Sequence, residues 1–339
     1  MNRPLRIGII GPGAFAEKMH IPGYKQAGDG VELVAVAGRE LARAERVARE
    51  HGFARDYDSY EEMLAREQLD AVSVCTPNRY HAPAAIAALK AGAHVLCEKP
   101  PAMNPAEVEA MIAAAREAGR VLLIGLSFRF HAEVEAARRF VQGGALGEVY
   151  AARARWTRRR GIPSWGVFTS RELQGGGPLM DIGVHVIDIA LHLMGYAAPA
   201  QMLGSTYAKI GTQPPGPAPW GPWDWQRYEV EDMALGMVKL TSGATLMVEA
   251  SFADNAEDAM QVRLSGTKGG LELFPLRIYR EEHGTLTTTT ASWLPPQEMY
   301  REEMRHFLAC CRGEEEPRVG LEEALWLQQI INGLYESAG

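Results

Sequence analysis

Over its first third the chain alternates short apolar runs with amphipathic stretches. Leu5–Ile10, Val31–Ala37, Ala71–Cys75, Ala93–Cys97 and Val121–Leu126 are bounded by glycine or polar turns, as strands buried on both faces are. Between them Leu41–His51, a segment after the Ser59/Glu62 capping pair, His81–Ala91 and a segment after Asn104-Pro105 have helical spacing or helix-start signals. Such β-α alternation predicts a doubly wound parallel sheet of about six strands. After Leu126 the pattern changes. A helix is expected over Ala132–Val141, then strands near Val149–Trp156, Gln201–Lys209, Asp232–Leu240, Ala244–Phe252, Gln261–Ser265 and Gly270–Leu273. Helical periodicity returns at Gln297–Cys311 and Leu321–Glu336. The fold class is therefore α/β. The expected domains are 1–127, with the parallel sheet, and 128–339, with an open and mainly antiparallel sheet; the last helices are free to pack back on the first domain.

The turns carry the chemistry. Gly11-Pro12-Gly13-Ala14-Phe15-Ala16 follows the first strand and opens a helix, as in a Rossmann dinucleotide site. Gly11 permits the tight turn, Gly13 lets a pyrophosphate approach the backbone, and Ala16 keeps helix and strand close. The second strand ends in Gly38-Arg39, where an NAD site usually has an acid. Arg39 can pair a 2′-phosphate, with Arg43 one turn on, so NADP is favoured; Glu40 on the ribose would instead mean NAD. Thr76, Pro77, Asn78 and His81 follow the third of these strands and Glu98-Lys99 the next, all on the edge where a cofactor lies. His81 could equally cap its own helix.

Three glycines and a proline, Gly175–Pro178, introduce a helix expected to run to Leu193. Asp181 and His185 share a face at its start, and Asp188 and His192 extend the stripe. Such an acid is commonly a cap and such a histidine a core residue. The sharper reading is proton chemistry. A metal set of Asp181, His185 and His192 is the weaker alternative, since no H-E-x-x-H or paired-cysteine motif is present. Six arginines (Arg153, Arg155, Arg158, Arg159, Arg160, Arg171) surround Trp156 and Trp165; they are either a solvated sheet face or a surface for a polyhydroxylated or anionic substrate. Pro214–Trp225 is a loop able to act as a flap.

Composition narrows the partners. Acids outnumber bases 42 to 35 in 339 residues, a net charge of −7, which disfavours nucleic acid and anionic membranes. No apolar run of membrane-spanning length is evident, and the start has no signal-peptide core, so a cytoplasmic location is expected. Cys75, Cys97, Cys310 and Cys311 have no metal or redox spacing and are read as reduced.

The chain resembles the glucose–fructose oxidoreductase / inositol dehydrogenase / rhizopine-catabolism (Gfo/Idh/MocA) family. The matching residues are Gly8–Gly13, Cys75–Asn78 with His81, Glu98-Lys99-Pro100, Gly175–Gly177 with Asp181–His185, and Val230–Asp232. Pro101 departs from the family's usual aliphatic residue. The resemblance implies a Rossmann domain, a second α/β domain whose open sheet often supports oligomers, catalysis by Lys99, Asp181 and His185, Arg129 near the substrate, and often a cis proline in the Glu-Lys-Pro motif. The expected activity is hydride transfer between NAD(P) and a secondary alcohol or ketone of a sugar, inositol or related polyol. His185 would be the acid/base, Lys99 would stabilise alkoxide charge, and Asp181 would hold a substrate hydroxyl, with Trp165 a further substrate contact and no metal needed. Lys99 and the Asp181/His185 pair would meet only across the cleft between the domains. A homo-oligomer is expected; the alternative function is a non-catalytic dinucleotide sensor.

Overall fold

The computed structural model describes residues 3–339, except the side chain of Asp29. It divides into two compact units. One holds the residues up to Ser127 with Glu298–Leu325; the other holds Phe128–Gln297 with Trp326–Gly339.

In the first unit six parallel strands run β3-β2-β1-β4-β5-β6: β1 Leu5–Ile10, β2 Val31–Ala37, β3 Arg55–Tyr57, β4 Ala71–Val74, β5 His94–Glu98 and β6 Leu122–Gly125. The order reverses between β1 and β4, so the turns after those strands flank the crevice where such sheets bind ligands. Helices α1 Ile21–Lys25, α2 Leu41–His51, α3 Tyr60–Arg66, α4 His81–Lys90 and α5 Pro105–Ala118 connect the strands. Ser59 Oγ accepts from Glu62 N at 3.3 Å and Asn104 Oδ1 from Glu107 N at 3.0 Å, so both expected caps form. Strand β3 is an edge strand of three residues with no apolar signature, and was not expected.

The second unit begins with α6 Ala132–Gln142. Its sheet runs β14-β13-β12-β11-β7-β10-β9-β8, from β7 Val149–Thr157, β8 Pro199–Tyr207, β9 Met233–Leu240, β10 Thr245–Ser251, β11 Ala259–Gly266, β12 Gly269–Leu273, β13 Arg277–Glu282 and β14 Thr285–Thr290. Every pairing is antiparallel except β7 with β10. The hairpin β13–β14 adds two strands to those expected; its turn, His283-Gly284, has φ of 55° and 70°, as a two-residue turn between twisted strands requires.

Two helices lie before β8: α7 Arg171–Gln174 and α8 Val184–Met194. The stretch Arg171–Met194 has the length and mean hydropathy (1.3) of a membrane span, but 83% of its apolar window is buried, as in a core helix. The opposite sheet face is open. Leu203, Met237 and Met247 are cross-strand neighbours on β8, β9 and β10, and they are 62%, 49% and 50% exposed. The last helices are α9 Met299–Cys311 and α10 Leu321–Ala338, and the boundary between the units falls within α10.

Candidate active site

The glycine loop is built by close backbone approach. Gly11 has φ +91°, and a Cβ there would lie 2.7 Å from the Cys75 carbonyl oxygen, so any side chain would push the turns after β1 and β4 apart. Gly13 faces open space: nothing lies within 4 Å of where its Cβ would be. Ala14 and Phe15, which follow, are exposed. The helix then opens with one wide π turn, Ala16–His20, before α1. Beside the loop, Thr76 Oγ1 is buried without a partner in the protein. A tight turn, an open glycine face and an orphaned hydroxyl at the switch point fit a dinucleotide.

Gly38 shows a second constraint. A Cβ at this position would lie 2.5 Å from Pro12 Cδ and 2.7 Å from Pro12 Cγ. The glycine-loop proline therefore excludes the acid that an NAD site usually carries here. Arg39 next to it lies with its guanidinium carbon 5.8 Å from the Tyr80 ring centroid.

Three residues expected at the cofactor edge are buried, and two of them have inward structural bonds. His81 is buried between two carbonyls, Nδ1 at 2.8 Å from Pro100 O and Nε2 at 2.9 Å from Thr76 O, and burial pushes its pKa down. It ties the Lys99–Pro100 turn, whose peptide is cis, to the turn after β4. Asn78 is buried as well. Glu98 turns inward: Oε1 meets His20 Nε2 at 2.8 Å and Oε2 accepts from Lys99 N at 3.2 Å. His20 Nδ1 continues to Ser73 Oγ at 3.1 Å, and Tyr24 OH lies 2.6 Å from the same hydroxyl. Glu303 of α9 is fully buried with both oxygens unpartnered, and burial, then the Glu98 charge, raises its pKa well above 4.5. Lys99, at the end of β5, is half-buried. Nothing in the sequence pattern distinguishes Glu303 or His20 from ordinary helix residues.

In the second unit the Gly175–Pro178 turn is held by Glu231, a residue carrying no role in the sequence reading. Its buried carboxylate accepts from Gly177 N at 2.9 Å, Leu179 N at 3.2 Å and Tyr335 OH at 2.7 Å. Burial still sets its pKa above the ordinary value. A Cβ on Gly176 would strike Tyr335 and one on Gly177 the Glu231 backbone, which is why both are glycine. Asp232 accepts from Ile210 N and Gly211 N at 2.6 and 2.7 Å and fixes the next loop. Of the two adjacent acids, Glu231 is scaffold for the helix start and Asp232 for that loop.

That start differs from the expected α-helix: Leu179–Gly183 forms a π turn, and α8 begins at Val184. Asp181 sits in this wider turn, half-buried, and His185 is buried just beyond it. The His185 ring packs against Phe128 and Trp156, centroids 4.9 and 5.8 Å apart. Arg158 supplies a cation. Burial lowers its pKa, opposed by the negative charges of Asp181 and Asp258. This unit thus gathers a carboxylate, an imidazole and a guanidinium around apolar walls, suited to moving a proton on a polyol.

Arg129 requires correction. It has no exposed surface: Nη2 and Nε bond Asp188 Oδ1 at 2.6 and 3.1 Å, and Tyr196 OH donates to the same oxygen at 2.5 Å. In this structure it is a buried structural ion pair, not a substrate contact. Asp188 is likewise committed, so the stripe Asp181, His185, Asp188, His192 does not act as one set. Among the described residues, the group of three that could hold a metal is instead Glu17, Glu50 and His51, where Arg46 already pairs both carboxylates at 2.7 Å. Of the arginine cluster, Arg155 pairs Glu249 at 3.1 Å and Arg160 donates to Asp254 O at 2.7 Å, as solvated or paired residues do. Trp165 is 55% exposed.

Residues 5–126 match the oxidoreductase family model with an NAD-binding Rossmann fold, and residues 134–272 match the GFO/IDH/MocA C-terminal domain. The chain is 40% identical over 339 residues to a D-glucoside 3-dehydrogenase of Escherichia coli, covering 99% of this chain and 96% of that protein. It is 30% identical to D-xylose 1-dehydrogenase (NADP(+)) 2 of Haloferax volcanii, covering 98% and 97%. Among solved structures, the aldose-aldose oxidoreductase of Caulobacter crescentus complexed with glycerol superposes with a TM-score of 0.81 at 27% identity, covering 99% and 98%.

Proposed function

We propose that this chain, which belongs to the Gfo/Idh/MocA family of oxidoreductases, oxidises a secondary ring hydroxyl of a glucoside or related sugar and reduces the corresponding ketone, with NADP preferred. The family makes it an oxidoreductase with an NAD-binding fold acting on sugar-like substrates. The glucoside reading is supported by the Escherichia coli relative, and NADP by the Pro12–Gly38 contact beside Arg39. The single observation that carries the chemistry is the rigid helix start held by Glu231, which presents Asp181 and His185 together against Trp156 and Phe128.

Gly11, Gly13, Ala14, Phe15 and Thr76 would hold the pyrophosphate region, and Arg39 the 2′-phosphate. The chemistry a bound nicotinamide would supply there is acceptance of a hydride from the carbinol carbon, or its return. In this reading His185 accepts the hydroxyl proton at an imidazole nitrogen and returns it in the reverse direction. The Lys99 ammonium stabilises the developing alkoxide oxygen. Asp181 accepts a hydrogen bond from a neighbouring substrate hydroxyl, its charge balanced by Arg158. The walls of Phe128 and Trp156 exclude water from the imidazole.

Lys99→Met tests this by following nicotinamide absorbance with a glucoside. Cofactor binding should be retained while turnover falls by about two to four orders of magnitude, the usual loss for a positioned proton-transfer or charge-stabilising group. His185→Ala should act alike, losing turnover while cofactor binding is retained. Turnover by Lys99→Met within a few-fold of wild type would defeat the assignment. The same proposal includes a cytoplasmic enzyme with reduced cysteines, and a homo-oligomer formed on the open face bearing Leu203, Met237 and Met247. Light scattering reads the latter, and a monomer at micromolar concentration would refute it.

A further inference from the structure

Two tryptophans beside the Asp181/His185 helix take no part in the proton and hydride transfers above, although Trp165 is an expected substrate contact. Trp165 and Trp220 lie 5.6 Å apart between ring centroids, tilted by 33°, and are 55% and 40% exposed. Single exposed apolar side chains are common, whereas contiguous exposed apolar surface marks interaction sites. The loop is fixed from beneath. Trp223 is buried, donates from Nε1 to Gly211 O at 2.7 Å, and packs in one cluster with Ile182, the neighbour of Asp181. Ser164 Oγ donates to Trp220 O at 2.5 Å, joining the two tryptophan segments.

The pair also continues from the proposed reaction centre. The Arg158 guanidinium carbon lies 4.4 Å from the Trp220 ring centroid and 5.6 Å from that of Trp156, and Trp156 is the ring against His185. A cation held between two aromatic faces fixes both. One unbroken strip therefore runs from His185 through Trp156 and Arg158 to Trp220 and Trp165. It is polar where the reacting hydroxyls would sit and aromatic at its far end.

Resting on the glucoside reading above, we propose that Trp165 and Trp220 are a stacking platform for the second ring of a glycoside, either the aglycone or a second sugar. Aromatic faces are negative and take up the polarised C–H face of a pyranose or the edge of an aryl ring. Substrates with two rings are thereby preferred over free hexoses and methyl glycosides.

The test compares kcat/KM for phenyl glucoside, a glucose disaccharide and methyl glucoside in wild type, Trp165→Ala and Trp165→Tyr. Trp165→Ala should lower the two-ring to methyl ratio about tenfold, chiefly through KM, and Trp165→Tyr should restore most of it. A titration of cofactor-free protein with phenyl glucoside should quench tryptophan fluorescence in wild type and much less in Trp165→Ala. An unchanged ratio with normal turnover of glucosides overturns the platform and leaves the function standing. Loss of turnover on every glycoside in wild type itself overturns the function, and the platform falls with it if the quench is also absent. A Trp165→Ala protein that changes its mass by light scattering while keeping the ratio assigns the pair to a subunit interface instead.

Discussion

Gly38→Asp is the substitution that would ordinarily turn an NADP site towards NAD, and here the structure predicts that it fails alone. The new Cβ would lie 2.5 Å from Pro12 Cδ, where relaxed carbon contacts need about 3.5–4.0 Å, so the ring must retreat by about 1 Å. It has little room. Pro12 is itself buried, and it follows Gly11, where even an added Cβ would lie 2.7 Å from the Cys75 carbonyl oxygen. A shift of that size in a loop that positions the pyrophosphate costs up to about 100-fold in rate. Gly38→Asp should therefore lower kcat/KM for both cofactors by about ten- to 100-fold. Pro12→Ala with Gly38→Asp removes the ring and should restore NAD to within a few-fold of wild type, while the carboxylate repels the 2′-phosphate. Arg39→Ala should cost NADP a charge-assisted hydrogen bond, about 1.5–3 kcal/mol or roughly ten- to 150-fold, and NAD less than about threefold. The assay is steady-state kcat/KM for each cofactor at saturating glucoside, with fluorescence titration of each reduced cofactor. A Gly38→Asp enzyme as good with NAD as the double variant would refute the steric reasoning. Equal losses on both cofactors in Arg39→Ala would refute the role of Arg39.

Three further expectations concern the scaffold. Asp188→Ala should cost about 3–5 kcal/mol in denaturant titrations by stranding the buried Arg129 guanidinium, and Arg129→Met with Asp188→Leu should recover most of it. Glu231→Ala leaves the amides of Gly177 and Leu179 without their acceptor; kcat should fall at least tenfold while cofactor affinity is retained, since the glycine loop is in the other unit. Glu303→Met should raise Tm by several degrees at pH 8 and by less at pH 4: burial and then Glu98 raise its folded pKa above 4.5, so the stability carried by the neutral carboxyl is whole below 4.5 and is lost as pH rises through the folded value.

What was legible in the sequence was what repeats or what carries a steric demand. Apolar runs separated by helical spacing disclosed the parallel sheet because a strand buried on both faces has few polar options. Gly11 and Gly13 disclosed the loop because one needs a positive φ and the other an open face. Strand β3 escaped because three edge residues leave no periodic trace, and β13–β14 because Tyr279 and Leu286 are exposed among charged residues and threonine, which breaks the apolar alternation. At the site, residue type suggested the chemistry but not the partner. Arg129 and Arg158 look alike in sequence. One is sealed against Asp188 and Tyr196, whereas the other lies between Trp156 and Trp220 beside the charge of Asp181. The difference is set by which elements tertiary packing brings up to each guanidinium, 59 residues away along the chain for Arg129 and Asp188. The same holds for Glu231 and Tyr335, which are 104 residues apart and together build the helix start that presents Asp181 and His185. Local pattern marks where a glycine turn must be; the long-range contacts that hold it there decide which of the charged residues nearby are sealed into buried pairs.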